Sequence, residues 1–286
     1  MGEPEQLTTR SSRVKAARRL ARRASRASAR RFLAEGPQSV REALTPPSGC
    51  VEVFATAAAT AHYPELRAAA AAVEVPWRLA DDDAVAGLSG TMTPQGLVAV
   101  CEFLDVDLAG WLSSHPRTIR LVALCASVRD PGNAGTVTRC ADAAGADLVV
   151  FAGTSVDPYN PKAVRASAGS LFHLPMSFGC RVEEAVTLLH DAGVIVLAAD
   201  AGGSLGLDEA AESGLLARPT AWMFGNEAWG IPEDESAQAD YVVRVPIYGH
   251  AESLNLATAA AVCLYTSARA QLRERPARGA AGRSGD

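Results

Sequence analysis

The chain has few cysteines and histidines, and neither residue type is arranged as a metal site would require. No two of the six cysteines form a Cys-x-x-Cys pair, and the five histidines are scattered along the sequence. Structural zinc sites need closely spaced ligands of these types, so no metal site is predicted. Because most of the cysteines stand in apolar segments and the sequence shows no secretory signal, we expect free thiols in a reducing cytoplasm rather than disulfides.

Long hydrophobic runs are also missing. The two longest candidates are LVALCASV at 121–128 and VIVLAA at 194–199. Both are far shorter than the roughly 18 to 20 residues of a membrane-spanning helix, and their lengths are those of buried strands. With 286 residues, 48% of them hydrophobic and 21% charged, the composition is typical of a soluble globular protein with a sizeable core and two domains.

Acidic residues are absent from one segment near the beginning of the chain. Between Gln6 and Ala34 there are ten arginines and lysines and no aspartate or glutamate, although the whole chain has 27 bases and 32 acids. A basic segment on an acidic body indicates a polyanionic partner, because neutralising phosphates is the main sequence-independent source of nucleic-acid affinity. A disordered solubilising tail and an acid-poor transit peptide are the alternatives for this segment.

The next part of the chain alternates between strand-like and helix-like patterns, as an α/β domain does. Strands are predicted in RFLAEG, CVEVFAT, VPWRLA and GLVAVCEF, and helices between them in PQSVREAL, HYPELRAAAAAV and DDDAVAGLSG. These segments form one domain at 31–104, which follows a basic N-terminal arm at 1–30. The stretch 105–117 contains Gly110, two serines and Pro116, and this composition predicts a linker.

A second alternation of strands and helices occupies 118–272. Its strand candidates are TIRLVALCASV, DLVVFAG, VIVLAAD, TAWMFGNE and DYVVRVPI, and a long helix is predicted in SLNLATAAAVCLYTSARAQL. Strands that are this uniformly apolar predict a parallel sheet covered by helices on both faces. The remaining residues, 273–286, are rich in glycine and arginine, and we expect them to form a disordered tail.

The glycine spacings of the usual nucleotide-binding loops are absent. DPGNAG at 130–135 has its glycines in the order GxxG, which fits neither the GxGxxG of dinucleotide-binding folds nor the GxxxxGK[ST] of P-loops. In an open parallel sheet, ligands bind beyond the carboxyl ends of the strands. The loops predicted at that edge are 130–135, 200–206, 224–230 and 246–255. They are rich in glycine and poor in charge, which predicts a small molecule held mainly by backbone groups.

Five polar residues in or near these loops could carry chemistry, although each also has a purely structural interpretation. Asn133 and Ser253 could cap helices, and Asn255 lies where the first turn of a helix is expected. Arg139 could be a solvated surface residue, and Glu227 could simply oppose the positive end of a helix. Their joint placement at the ends of several strands of one sheet favours a functional site.

Three motifs, in a fixed order, resemble those of the SpoU/TrmH branch of the SPOUT methyltransferases. This family transfers a methyl group from S-adenosylmethionine to a ribose 2′-hydroxyl of RNA. DPGNAGTVTRCADAAG (130–145) is similar to its first motif and carries Asn133 and Arg139. MFGNEAWGIP (223–232) is similar to the second, and VPIYGHAESLNLATAAAVCLYTSAR (245–269) to the third. The segment 158–175 also resembles the family, whereas Asn226 stands where alanine or serine is common.

The first domain resembles the L30e-like RNA-binding module often fused to this catalytic domain, through RRFLAEGPQSVREAL and LSGTMTPQGLVAV. The resemblance covers about 30–270. It implies an α/β protein in which an N-terminal L30e-like α/β/α domain at 31–104 precedes a SPOUT α/β domain at 118–272 with a C-terminal deep trefoil knot. It also implies an obligate homodimer with the active site near its interface.

The resemblance assigns roles to individual residues of the second domain. The implied catalytic residues are Asn133, Arg139, Glu227, Ser253 and Asn255. The implied binding site for S-adenosylmethionine, with no metal, consists of Ala199, Gly225, Asn226, Ile247, Ser253 and Leu254.

Arg139 is an unusual residue for the proton transfer that this reaction needs, because a guanidinium hardly deprotonates in proteins. Its fork suits the phosphate next to the target ribose. We therefore expect Arg139 to bind that phosphate and draw the 2′-hydroxyl toward the methyl group, and the family view that it also accepts the proton is the alternative. Asn133 would orient Arg139 or the ribose, and Glu227 would help to shape the pocket.

RNA contacts are predicted for six arginines: Arg18, Arg22, Arg30, Arg31, Arg139 and Arg165. L30e-like modules favour structured RNA, which favours 23S ribosomal RNA over transfer RNA as the substrate. The same domain pair occurs in enzymes that protect antibiotic producers, so self-resistance is one expected role. A non-catalytic RNA-binding protein of the ribosome is the alternative from another class, and the presence of Asn133, Arg139 and the Ser-Leu-Asn run argues against it.

Overall fold

The computed structural model describes residues 6–47, 49–116 and 118–274, and the chain divides into two compact units. The first unit comprises Met1–Val106, Arg129–Arg139 and Ser155–Phe178, and the second comprises the remaining segments. Two segments within the predicted catalytic domain, Arg129–Arg139 and Ser155–Phe178, thus cluster with the first unit. No helix in the described part of the chain is long and apolar enough to cross a membrane.

The first unit is built around a four-stranded mixed sheet in the order β1-β4-β2-β3. Strand β4 pairs antiparallel with both β1 and β2, and β2 pairs parallel with β3. The elements of this unit, in chain order, are α1 (Ser12–Arg19), α2 (Arg23–Ala29), β1 (Arg31–Glu35), α3 (Gly36–Ala43), β2 (Cys50–Ala55), α4 (Ala57–His62), α5 (Pro64–Ala72), β3 (Trp77–Leu79), α6 (Asp82–Ala86), β4 (Leu97–Glu102), α9 (Pro161–Ser167) and β7 (Met176–Phe178).

The described part of the basic segment at the beginning of the chain forms two helices that pack within the first unit. Within α1 the apolar residues Val14 and Ala17 are buried, together with Leu20, in the same core cluster as Phe54 of β2. Helix α2 is held by Arg26, which is only 2% exposed and pairs with Asp157 at 2.6 Å. Apart from Arg26, the arginines of α1 and α2 thus lie on the exposed faces of two helices that pack within the first unit.

The second unit contains six parallel strands in the order β6-β5-β10-β8-β11-β9. This agrees with the parallel sheet predicted from the apolar strands, and β5, β6 and β10 are buried along their whole length. The elements, in chain order, are α7 (Leu108–Ser114), β5 (Leu121–Ala126), β6 (Leu148–Ala152), α10 (Val182–Asp191), β8 (Ile195–Ala199), β9 (Leu205–Gly206), α11 (Leu207–Glu212), β10 (Thr220–Phe224), α12 (Glu233–Ser236), β11 (Tyr241–Arg244) and α13 (Leu256–Glu274). Helix α8 (Pro131–Ala144) contributes residues to both units.

Helix α13 packs on the central strands through polar as well as apolar contacts. Trp222 of β10 is fully buried, and its Nε1 donates to Ser267 Oγ at 2.8 Å. Near the end of the helix, Gln271 Nε2 donates to the carbonyl oxygens of Arg120 and Arg218, at 2.7 and 3.0 Å. Each of these buried donors has an acceptor, which fixes the rotation and the axial position of α13 on the sheet.

The predicted linker at 105–117 is largely helical, because α7 lies inside it. Asp107 caps this helix by accepting a hydrogen bond from Gly110 N at 2.7 Å, and Leu108 and Leu112 are buried. The glycine and serines that suggested a linker are therefore accommodated in one short capped helix. Of the predicted disordered tail, residues 275–286 lie outside the described part of the chain, and Arg273 belongs to the last turn of α13.

Candidate active site

The first motif forms the start of α8, and Asp130 is the residue that caps it. Asp130 Oδ1 accepts from Asn133 N at 2.8 Å, and the Asp130 carbonyl accepts from Ala134 N at 3.0 Å. The other carboxylate oxygen of Asp130 accepts from Lys162 Nζ at 2.8 Å. This hydrogen bond is the main reason that the pKa of Asp130 lies below its ordinary value. Asn133 is thus a half-buried residue of the first turn rather than the cap itself.

Helices α8 and α9 approach each other closely at Gly135. A Cβ atom there would lie 2.7 Å from Ala166 Cβ and 2.9 Å from Ser167 N, and would overlap the carbonyl oxygen of Ala163. Only glycine permits this backbone contact, which explains the last glycine of the GxxG pattern. The contact places Lys162, at the start of α9, beside the first turn of α8.

Arg139 lies one turn beyond Gly135 on α8, and its side chain is exposed. It makes no ion pair with any carboxylate in the described residues, unlike Arg30, Arg31 and Arg165. An exposed guanidinium without an internal counter-ion is available to an external anion, and its fork matches a phosphate. The structure therefore leaves this predicted residue ready for a ligand.

Three loops of the second unit converge at the carboxyl edge of its parallel sheet. They follow β8 at Ala199, β10 at Phe224 and β11 at Arg244. Asp200 N donates to the Val243 carbonyl at 3.1 Å, which joins the ends of β8 and β11. This is the edge at which ligands bind in open α/β sheets, and the predicted cofactor residues follow its strands.

The loop after β10 folds back on itself as a tight turn. Asn226 and Gly230 exchange two backbone hydrogen bonds, of 2.8 and 2.9 Å. A Cβ atom at Gly225 would lie 2.5 Å from Ile231 Cγ1 and would overlap the Gly230 backbone, so the turn requires glycine at 225. This close packing leaves backbone groups rather than side chains to line the start of the loop.

Asn226 stabilises this turn with its side chain. Its Nδ2 donates to the carbonyl oxygen of Ser127 at 2.9 Å, and its Oδ1 accepts from Ala228 N at 2.9 Å. The side chain is 6% exposed. The residue that departs from the family pattern therefore joins the end of β10 to the end of β5. The contact with S-adenosylmethionine that the resemblance implies for it stays a prediction.

Glu227, next in this turn, is exposed and lies near the end of β5. Burial of the Cys125 thiol, and secondly the negative charge of Glu227, raise the pKa of that thiol well above its ordinary value. The Asp200 carboxylate lies close by, because its Oδ2 is 3.4 Å from the Cβ position of Gly230. Two carboxylates thus stand at this edge of the sheet, and sequence reasoning had not singled out Asp200.

The third motif forms an exposed loop followed by α13. The predicted residues Ile247, Ser253 and Leu254 are exposed in this loop. Asn255 caps α13, since its Oδ1 accepts from Ala257 N at 2.9 Å. Asn255, rather than Ser253, is therefore the capping residue.

Among the other predicted RNA-binding arginines, two are exposed and three pair with carboxylates. Arg18 and Arg22 are exposed on or beside the N-terminal helices. Arg30 Nη2 lies 2.8 Å from Asp105 Oδ1, and its guanidinium lies over the ring of Phe103 at 4.9 Å. The remaining two pairs are Arg31 with Glu102 at 3.7 Å and Arg165 with Glu35 at 3.4 Å.

The predicted catalytic residues belong to two groups. Asn133 and Arg139 lie in the first unit, together with Lys162, and Glu227, Ser253 and Asn255 lie in the second. The sequence patterns did not single out Lys162 and Asp130, although Asp130 begins the first motif and Lys162 lies in the segment 158–175 that also resembles the family. Within the described residues, no cluster of three or more His, Cys, Asp or Glu side chains is placed to hold a metal ion.

Comparison with known proteins identifies both parts of the chain. The sequence model of the SpoU rRNA Methylase family matches residues 120–265, and that of the MRM3-like substrate binding domain matches residues 11–99. The second match begins inside the predicted arm, in agreement with the packing of α1 and α2 on the first unit. The family predicted from the motifs is confirmed.

Relatives of known name and structure match most of the chain. The 23S rRNA (guanosine(2553)-2′-O)-methyltransferase RlmP of Bacillus subtilis is 33% identical over 258 residues, which cover 90% of this chain and 96% of that protein. The structure of an AdoMet-bound rRNA methyltransferase from Sinorhizobium meliloti aligns with a TM-score of 0.77 at 29% identity, over 94% of this chain and 98% of that one. The SpoU methyltransferase AviRb from Streptomyces viridochromogenes, in complex with AdoMet, aligns with a TM-score of 0.76 at 29% identity, over 92% of this chain and all of that one. This chain belongs to the SpoU rRNA methylase family.

Proposed function

We propose that this protein transfers a methyl group from S-adenosylmethionine to a ribose 2′-hydroxyl of 23S ribosomal RNA. The observation that carries the proposal is Arg139, which is exposed on α8 and pairs with no carboxylate of the described residues. Arg139 stands in the first of the three motifs that resemble this family. RlmP, which aligns with 90% of the chain, is a 23S rRNA 2′-O-methyltransferase.

The residues at the carboxyl edge of the parallel sheet fit the cofactor. S-adenosylmethionine supplies an activated methyl group on a positively charged sulfonium. The tight turn at Gly225, together with the ends of β8 and β11, offers backbone groups close to two carboxylates, Glu227 and Asp200. Negative charge beside a glycine-lined edge favours a cationic ligand. Ala199, Ile247, Ser253 and Leu254 would complete the site.

The residues of α8 would bind and orient the RNA. A ribose 2′-hydroxyl is a poor nucleophile, so methyl transfer depends on in-line positioning and on an acceptor for its proton. The fork of Arg139 would hold the adjacent phosphate, and Asn133 would orient the ribose or Arg139 itself. Lys162, one helix away, adds a second positive charge beside this turn, although Asp130 partly neutralises it. Proton acceptance by Arg139 is the alternative role.

RNA affinity would come chiefly from the first unit. Arg18 and Arg22 are exposed to solvent, and an RNA phosphate would compete with carboxylates for Arg30, Arg31 and Arg165. Such contacts make binding strongly dependent on salt. The match of residues 11–99 to a substrate-binding domain supports this assignment.

The proposal extends to the finer features that the family resemblance implies. These are an L30e-like architecture for the first domain, a deep trefoil knot at the end of the second, a cytoplasmic location and a homodimer. Support for the homodimer comes from α13, where Val262, Tyr265 and Leu272 are 38%, 48% and 62% exposed on one face of the helix. Large apolar side chains exposed along one stripe are typical of an interaction surface.

Transfer of radiolabelled methyl groups from S-adenosylmethionine to unmodified 23S rRNA tests the activity. We expect label in the RNA and a single primer-extension stop at low dNTP concentration, because a 2′-O-methyl group stalls the polymerase. Label in transfer RNA alone would show that 23S rRNA is not the substrate. RNA binding without cofactor binding in calorimetry would identify a non-catalytic RNA-binding protein instead. Increased antibiotic tolerance of a host that expresses the protein would test the self-resistance role.

A further inference from the structure

The first unit contains a cavity that the proposed reaction does not use. Its volume is about 550 Å³, and it lies where β2 and β3 end and β4 begins. It is open to solvent between α4, α6 and the loop before β4, whose Gln95 and Pro94 are exposed. A cavity of this size accommodates a single planar ring system with room to spare.

The floor of the cavity is fixed by backbone contacts. Thr56 caps α4 by accepting from Ala59 N at 3.0 Å, and Thr56 N donates to the Gly96 carbonyl at 3.0 Å. Gly96 has a φ of +75°, and a Cβ there would lie 2.7 Å from Thr56 Oγ1 and 2.9 Å from Ala59 Cβ. Only glycine fits, so the loop is held directly against α4 and the cavity is preformed.

The lining suits an uncharged planar ligand better than a phosphate. The rings of His62 and Tyr63 stand edge to face, with 4.6 Å between their centroids, and offer aromatic surface at the wall. Gln95 supplies an amide and Asp82 a carboxylate, which are the groups that hydrogen-bond the edges of nucleobases. His62 is the single basic side chain of the lining, and Asp82 opposes a bound anion.

Two arginines contact the connection between α6 and β4, whose last residues line the cavity. Arg165 Nη1 contacts Gly90 and lies 3.4 Å from Glu35, and the Arg18 guanidinium carbon lies 4.0 Å from the Cβ position of Gly87. Gly87 and Gly90 belong to the connection between α6 and β4, of which Pro94, Gln95 and Gly96 line the cavity. Because the lining contains one carboxylate and no arginine or lysine, it suits the base itself, and the flanking phosphates would remain outside the cavity.

We propose that this cavity binds one unstacked nucleobase of the RNA substrate, with stacking on His62 or Tyr63 and hydrogen bonds to Gln95 or Asp82. The inference rests on the proposed function, because it assumes an RNA substrate. It adds a specificity site in the substrate-binding domain, in which an unpaired base of the target region is held by its ring and edge.

Affinity for an in vitro transcript of 23S rRNA tests this site, measured by filter binding at one salt concentration. Ala58→Trp fills the cavity from the exposed first turn of α4, and His62→Ala and Gln95→Ala remove wall groups. The matched control is Thr93→Ala, an exposed position of the same connection that does not line the cavity. We expect each cavity variant to raise the Kd for RNA about tenfold, as the loss of a stacked base does, and Thr93→Ala to leave it unchanged. The Kd for S-adenosylmethionine should be that of the wild type in all four.

Photocrosslinking of a 4-thiouridine-substituted transcript gives an independent readout that does not depend on the fold of a variant. We expect a crosslinked nucleotide on the peptide that contains His62 and Tyr63. If all cavity variants bind the transcript as Thr93→Ala does and the peptide remains uncrosslinked, the cavity does not bind a base. If the wild type binds the transcript but transfers no methyl group, the proposed function fails. The Kd of each cavity variant relative to the wild type would then still show whether the cavity binds a base. A wild type that binds no RNA overturns both.

Discussion

Arg139 differs from Arg30, Arg31 and Arg165, because no carboxylate of the described residues pairs with it. A guanidinium in this state pays no cost for leaving an internal partner when it binds phosphate. We expect Arg139→Ala to lower kcat at saturating S-adenosylmethionine by about a hundredfold, the typical effect of removing one transition-state hydrogen-bond donor. Arg139→Lys keeps the charge without the fork, so its kcat should lie between the two.

The control for this pair is Arg181→Ala, which removes an arginine that is 78% exposed beside Glu183 on another helix. Its kcat should match that of the wild type, and the Kd for S-adenosylmethionine, measured by calorimetry, should be the same in all variants. If Arg139→Ala kept more than about a tenth of the wild-type kcat, the expected hundredfold loss would be absent and Arg139 would have no essential role.

A second single residue, Glu35, gives a prediction about how the free energy of unfolding depends on pH. Burial raises the pKa of its carboxyl, but hydrogen bonds from Ser89, Thr91 and Gly90 and the charge of Arg165 outweigh burial and hold the pKa below its ordinary value of 4.5. A carboxyl with a lowered pKa in the folded state stabilises the fold fully above that ordinary value. This contribution is lost as the pH falls through the folded-state pKa.

We therefore expect Glu35→Gln to lower the free energy of unfolding by about 1.5–3 kcal/mol at pH 7, the range for hydrogen bonds to a charged group. The difference from the wild type should shrink as the pH falls below 4.5. Urea titrations at several pH values measure it, with Glu65→Gln as the control, since Glu65 is 55% exposed in a surface pair with Arg41. A difference that is constant between pH 7 and pH 3 would contradict the role of the ionised carboxylate.

Among the structural elements, α2 depends on a buried ion pair that joins segments far apart in sequence. Arg26 donates to Asp157 through Nε and Nη2, and through Nη1 to the carbonyls of Leu20 and Ala21 at 3.0 and 2.9 Å. Removing one partner leaves a buried charge uncompensated, so Arg26→Ala should lower the free energy of unfolding by about 3–5 kcal/mol. Arg22→Ala, four residues earlier and exposed, should change it by less than about 0.5 kcal/mol.

Circular dichroism during urea unfolding distinguishes these two variants. If the basic segment were a detached arm, both substitutions would leave the unfolding curve unchanged and would alter only the affinity for RNA. Equal free energies of unfolding for Arg26→Ala and the wild type would therefore support the detached arm that the charge pattern suggested.

The elements that the sequence predicts well are those whose boundaries carry local signals. Strand β1 and helix α3 fall where RFLAEG and PQSVREAL place them, because a proline in the first turn starts the helix. Helix α7, inside the predicted linker, was not predicted because Gly110 is a weak helix former, and the cap at Asp107 outweighs it. The burial of Arg26 could not be predicted, because its partner is 131 residues away and tertiary packing alone brings the two together.

The candidate site shows the same division between local and long-range information. The motifs locate Asn133, Arg139 and Glu227 by their residue types alone. They do not show that Asp130 rather than Asn133 caps α8, or that Asp200 stands beside the turn at Gly230. The strand order also stays hidden, since β10 inserts between β5 and β8, which both precede it in sequence. Pairing between strands distant in sequence depends on packing across the whole sheet.

At the scale of the whole molecule, the exposed apolar face of α13 makes the proposed homodimer testable. The buried face of this helix, with Ala260, Cys263 and Leu264, already packs within its own unit. The opposite face presents Val262, Tyr265 and Leu272 to solvent. Each of these side chains is already about half buried, so covering the rest removes apolar surface worth about 1 kcal/mol each, and a second copy would gain at this face.

We expect the wild type to elute as a dimer in size-exclusion chromatography with light scattering, and Tyr265→Glu combined with Leu272→Glu to elute as a monomer. Burying two carboxylates in an apolar interface is strongly unfavourable, because neither has a partner there. Thr187→Glu, which adds the same type of charge to an exposed position of α10, should remain dimeric. If the active site needs residues of both chains, the monomeric variant should also lose methyl transfer while circular dichroism shows an intact fold. A double variant that stays dimeric would place the interface elsewhere, and a wild type that elutes as a monomer would refute the dimer itself.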